Sequence, residues 1–197
     1  MFKKENKIVA WLEEHKIINY TVLDDLSVNV NGSVTLERVL GDLKELPVQF
    51  NKVNGDFSIF DNKLTSLKGS PKLVLGDYGI NNNQITSLKY CPNSISGSFF
   101  CGFNLITSLK YAPEIVAGNM YIHNNPITEL DTLKTDFIGK LHFYNEKDPL
   151  NYLKGFEEFY DKEMLTLRHE DLHRILMKIN LDDKFSNGTS STKKIKI

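Results

Sequence analysis

The 197-residue chain is 41% hydrophobic and 25% charged, an ordinary composition for a globular or elongated domain with a sizeable core. Its formal net charge of -1 supplies no global attraction to nucleic acid or to an anionic membrane. No apolar run approaches the roughly 20 residues of a membrane span, and "MFKKENKIVAWLEEHK" carries charges where a signal peptide has its apolar segment, so a cytoplasmic location without a membrane partner is expected.

The first predicted element is a helix over residues 3–16. Ile8, Trp11, Leu12 and His15 recur at helical spacing among lysines and glutamates, which suits an amphipathic lid over the first repeat unit. With the short strand after it, this segment is expected to form an N-terminal cap over residues 1–27.

Residues 28–146 are repetitive, and glycine sets the register. Gly55, Gly76, Gly97, Gly118 and Gly139 stand 21 residues apart, and Gly32 lies 23 before Gly55, which defines six units. Two residues before each glycine stands Val30, Val53, Val74, Ile95, Val116 or Phe137. Two after it comes Val34, Phe57, Tyr78, Phe99, Met120 or Leu141, and four after it Leu36, Ile59, Ile80, Cys101, Ile122 or Phe143. This period-two alternation predicts one short strand per unit with a single apolar face. Such a face cannot bury itself, so it must be covered by the equivalent face of the next unit, and repetition is the folding mechanism. Asn62, Asn83, Asn104 and Asn125 then recur seven residues after the glycine, followed by Leu64, Ile85, Ile106 and Ile127 and by Leu67, Leu88, Leu109 and Leu130. The asparagines are expected to pair backbone groups of the turn rather than to bind a ligand. Pro71, Pro92 and Pro113 punctuate return segments too short for a full helix. Cys91 and Cys101 fall inside the repeats, and no structural disulfide is expected.

The unit, φxGxφxφxxNxφTSL, resembles a leucine-rich repeat. "NKLTSLKGSPKLVLGDY", "CPNSISGSFFCGFN" and the leader "INYTVLDDLSVNVNGSV" resemble the short repeats, and the segment before them, of leucine-rich-repeat-like proteins of large tailed bacteriophages; the likeness covers residues 18–145. It implies an α/β repeat solenoid with six short parallel strands, irregular return segments and helical caps, and a phage source, but no activity. The repeats are also similar to those of short-repeat bacterial effectors, some of which carry a ubiquitin ligase domain with a catalytic cysteine. Residues 147–197 contain no cysteine.

After the repeats, "DPLNYLKGFEEFY" offers a helix start at Asp-Pro with Leu150, Leu153, Phe156 and Tyr160 on one side. "RHEDLHRILMKINL" predicts a second helix with Leu172, Ile175, Leu176 and Ile179 inward. Together they predict a helical cap over residues 147–181, and the polar segment 182–197 reads as a flexible tail.

One conventional catalytic signature is present. In "HEDLH", His169 and His173 at i and i+4 share a helical face, with Glu170 placed as the base of a zinc hydrolase. The stretch after His173 offers only Asp182 and Asp183 as a third ligand, and Leu176 stands where the extended motif has glycine, so the pair reads as surface histidines. No catalytic residue, metal or cofactor is expected. Lys68, Lys89 and Lys110 occupy one repeat position and form a column, a weak nucleic-acid signal that reads instead as solvated surface.

The positions three and five after each glycine must point away from the core. The first row runs Thr35, Ser58, Gly79, Phe100, Tyr121, His142, and the second Glu37, Phe60, Asn81, Gly102, His123, Tyr144. The last units therefore gather Phe100, Tyr121, His123, His142 and Tyr144 on one face, where core packing does not explain them, and clustered outward aromatics point to an interface. The sequence accordingly predicts a non-enzymatic protein-binding module; the phage resemblance implies a host or phage protein as the partner, with inhibition or redirection of that partner as the consequence. A virion structural or adsorption component is the alternative binding role, and a zinc-dependent hydrolase the competing enzyme.

Overall fold

The computed structural model describes residues 2–127, 134–143 and 166–168. In chain order the elements are α1 (Phe2–Glu14), β1 (Tyr20–Val22), β2 (Val28–Val30), β3 (Val34–Thr35), β4 (Phe50–Val53), β5 (Phe57–Ser58), β6 (Leu73–Val74), β7 (Tyr78–Gly79), β8 (Ser94–Ile95), β9 (Phe99–Phe100), β10 (Ile115–Val116), β11 (Met120–Tyr121), β12 (Asp136–Phe137), β13 (Lys140–His142) and β14 (Thr166–Arg168).

The repeats wind into a parallel-strand solenoid of about five turns. Each unit contributes two strands rather than the one expected. Those before the glycine form one seven-stranded sheet, β1-β2-β4-β6-β8-β10-β12, and those after it a second, β14-β13-β11-β9-β7-β5-β3. The coil thus departs from a single-sheet leucine-rich-repeat layout. The reason lies at the glycine, where the backbone leaves one sheet and enters the other while packed directly on the turn beneath. A Cβ added at Gly76 or Gly97 would sit 2.7 Å from a backbone carbon of the preceding turn. The closely stacked corners bond to one another: Gly97 N–H donates to Gly76 O at 2.9 Å, and Gly118 N–H to Gly97 O at 2.9 Å. The return segments between successive unit pairs, such as 60–72 and 81–93, contain neither helix nor strand.

All three apolar rows face inward. Val53, Phe57, Ile59, Leu64 and Leu67 of one turn, and their equivalents in the next, are fully buried and join one continuous core. Phe50, Phe57, Tyr78 and Phe99 run through it as a ring series with centroids 5.2, 5.8 and 5.6 Å apart. Tyr78 is wholly buried, and its hydroxyl pairs with the Ser70 hydroxyl at 2.8 Å. That one hydrogen bond satisfies the polar tip of an otherwise apolar body.

The helix α1 forms as its pattern predicts: Leu12 is buried, Ile8 and Trp11 pack on the core, and His15 stacks on Trp11 at 4.2 Å. One edge of each sheet is met by an antiparallel strand rather than by a helix, β1 on β2 at the first sheet and β14 on β13 at the second. An edge strand carries unpaired N–H and C=O groups, which another strand satisfies and the side of a helix does not. Residues 166–168, expected within a helical cap, are strand; the rest of 147–181 and the tail 182–197 lie outside the described residues.

Candidate functional site

The second sheet positions the outward row by strict register. Ser58, Gly79, Phe100, Tyr121 and His142 are direct partners in successive parallel strands. Parallel neighbours lie about 4.8 Å apart, close to the thickness at which flat rings stack. Phe100 and Tyr121 accordingly stack at 4.7 Å with planes 5° apart, and Tyr121 and His142 at 4.3 Å with planes 16° apart. All three side chains are half-buried rather than fully exposed, because the stacked rings cover one another's faces. Tyr121 is fixed further by Asn119 Nδ2, which donates to its hydroxyl at 3.2 Å.

His123 closes the patch from the second outward row. Its ring stands edge-on to Tyr121 at 6.4 Å and rests over Gly102, where an added Cβ would lie 2.6 Å from Nε2. Phe103 meets the other side of His123 at 5.2 Å, almost perpendicular. Sequence reasoning missed Phe103. It occupies a repeat position, six after the glycine, where Arg38, Asp61, Asn82, Phe103 and Asn124 all have positive φ of 52–58°. A bulky residue is costly in that conformation, and its presence among polar residues in this row was the available signal. Tyr144 lies outside the described residues.

The electrostatics of the patch centre on His142. Partial burial first, then Lys140 and His123, hold its imidazole below the ordinary value of 6.5, favouring the neutral ring. A neutral ring stacks on Tyr121 without a charge to desolvate.

The asparagine ladder is a second set of repeated side chains, and it is structural. Asn83 Nδ2 donates to Ile59 O of the preceding turn at 2.9 Å and to Ile80 O at 3.1 Å, while its Oδ1 accepts from Leu64 N at 3.1 Å. Asn104 and Asn125 repeat this set one turn on each time. Each amide thus fastens its own turn to the one before it. A further ladder was not anticipated: Ser33, Asp56, Asp77, Ser98 and Asn119, each just after a corner glycine, accept the N–H of Asp56, Asp77, Ser98, Asn119 and Lys140 at 2.7–3.1 Å.

The lysine column is individually engaged. Lys68 pairs with Glu45 at 2.6 Å, and Lys89 and Lys110 lie over the rings of Tyr90 and Tyr111 at 5.1 and 5.0 Å. Cys91 and Cys101 are unbridged thiols, and burial pushes both well above the usual thiol range. Among the described residues no cluster of three or more His, Cys, Asp or Glu side chains is placed to hold a metal ion, and no helix is long and apolar enough to cross a membrane. His169, Glu170 and His173 lie outside the described residues. In comparison with known proteins, no family model, curated protein or solved structure matches the chain.

Proposed function

We propose that this chain is a non-enzymatic binding module that engages a protein partner through the Phe100–Tyr121–His142 column, flanked by His123 and Phe103. The observation carrying this reading is the outward stack itself: three aromatic rings in register on a sheet face whose opposite side already supplies a complete core. Rings held rigidly by strand register offer large contact area at little further entropy cost, which is what interface anchors require. The resemblance of the repeats to those of phage proteins supports a host protein as target, inhibition or redirection as the outcome, and the host cytoplasm as the place of action. The test is capture of partners from infected cells by the wild-type chain, Tyr121→Ala and Phe100→Ala, with quantitative mass spectrometry. A partner enriched by the wild-type chain and lost in both variants supports the reading. Equal recovery of every enriched protein by all three overturns it.

A further inference from the structure

The second sheet ends at β3, and among the described residues no strand lies on its outer side. In the turns that follow, the carbonyl one residue after the corner glycine accepts an N–H from the turn before, as Asp56 O does from Val34 and Asp77 O from Phe57, both at 2.8 Å. Two residues on, Ser58 O accepts from Leu36 at 2.8 Å and Gly79 O from Ile59 at 2.9 Å. Ser33 O and Thr35 O hold these two places in the first turn, and no described residue donates to them. The N–H and C=O of one strand residue point to the same side, so the Thr35 N–H is bare there as well. The first sheet is closed at this end, where β1 pairs with β2.

The bare edge opens into a cavity of about 560 Å³ bounded by Ser33 and Thr35, by Val39, and by Glu14, His15, Lys16 and Ile17 where the chain leaves α1. That last wall is fixed in place. Ile17 is buried and its N–H donates to Leu12 O at 2.9 Å, while His15 Nδ1–H donates to Trp11 O at 2.8 Å. Backbone acceptors two residues apart with a donor between them are matched by extended polypeptide, which presents N–H and C=O groups at the same spacing. The wall also limits what enters. An α-helix is about 10 Å across, twice the roughly 4.8 Å between strands, so α1 holds off the flat end of another sheet while a single extended segment fits beside it.

We propose that β3 is a docking edge for an extended segment of a partner polypeptide, which joins the seven-stranded second sheet as a further parallel strand. Its N–H groups pair with Ser33 O and Thr35 O, and one of its carbonyls accepts from Thr35 N–H. Ile17 and Val39 favour an apolar side chain on the segment. The site lies three strand steps from Phe100, on β9, and does not rest on the aromatic column as an interface.

The probe is the acetylated and amidated hexapeptide SVTLER, residues 33–38, the sequence that the chain itself lays on β5. It is added to the full chain while amide exchange is followed by NMR. In the chain alone the Thr35 amide should exchange at least tenfold faster than those of Val34 and Leu36, which are bonded to β5 residues and their neighbours. Saturating peptide should slow Thr35 exchange at least tenfold. Methylating the amide nitrogens of the peptide's valine and leucine removes the donors to Ser33 O and Thr35 O and should abolish that protection. Thr35→Pro removes the outward N–H and keeps both inward bonds, so it should weaken peptide binding at least tenfold with little change in melting temperature. Val39→Lys, which alters the cavity without touching the backbone, should weaken binding in the same direction and is the second variant should Thr35→Pro fail to fold. No saturable protection of Thr35, or equal protection by the methylated peptide, overturns the proposal. So does a Thr35 amide already protected in the chain alone: protection independent of concentration assigns the edge to a segment of the same chain, and protection that grows with concentration assigns it to a second copy.

Discussion

Asn104 shows how much one side chain holds in a coil of two-residue strands. It donates to three carbonyls from two different turns and accepts a backbone N–H. Replacing it with alanine leaves those groups buried and unpaired, at roughly 1 to 3 kcal/mol for each group that water cannot reach. Asn104→Ala should therefore lower the urea midpoint and the melting temperature while leaving partner capture intact; unchanged melting with lost capture would reverse the assignment. The glycines divide in the same way. Gly97→Ala drives a methyl against Asp77 Oδ1 and to 2.7 Å from backbone. It should destabilise by about 1–3 kcal/mol, the usual cost of overpacking, whereas Gly79→Ala should be neutral or stabilising. Comparing the two melting curves distinguishes a corner glycine from a surface one.

At the level of strands, the outward column acts as one unit because each ring is a neighbour's packing surface. Tyr121→Ala removes the central ring and Phe100→Ala the first, and each should weaken partner binding at least tenfold, about 1.4 kcal/mol, with little change in stability. Binding measured by calorimetry against the captured partner checks this, and wild-type affinity in both variants would refute it. His142 adds a pH dependence whose sign follows from its lowered value. The unfolded chain binds the proton more readily than the folded one, so the stability contributed by the neutral ring is present above about pH 6.5. It is lost as pH falls from there toward the lower folded value. His142→Gln should flatten that part of the pH–stability curve. The column was legible in the sequence because Phe100, Tyr121 and His142 share an outward position at fixed period. Phe103 was not, since its contribution depends on a left-handed backbone conformation that polar neighbours in the same row usually adopt.

Over the whole molecule, the core and the repeat unit could be read directly: every residue in the three apolar rows is buried. The two-sheet arrangement could not. Val53, Phe57 and Ile59 keep one apolar alternation across Gly55, and hydropathy does not record that the backbone turns between sheets at the glycine. The edge strand β14 was hidden for a related reason, since three residues are too few to carry a period. The N-terminal helix was legible, and its role is testable. Leu12 is fully buried at the amino-terminal end of the core, so Leu12→Ala should cost about 2–5 kcal/mol, measured by chemical denaturation. A loss below about 1 kcal/mol would mean that α1 is dispensable to the coil.

The regular stacking of glycine corners makes this protein a ruler. Gly55–Leu75 is a complete unit bonded to the turns on either side, as in Asp77 N–H to Asp56 Oδ1 and Gly76 N–H to Gly55 O. Inserting a second copy of residues 55–75 would preserve every row and carry the aromatic column one strand step, about 4.8 Å, farther from the amino terminus. The span between the terminal helix and the aromatic column is therefore set by how many copies of one sentence the gene repeats.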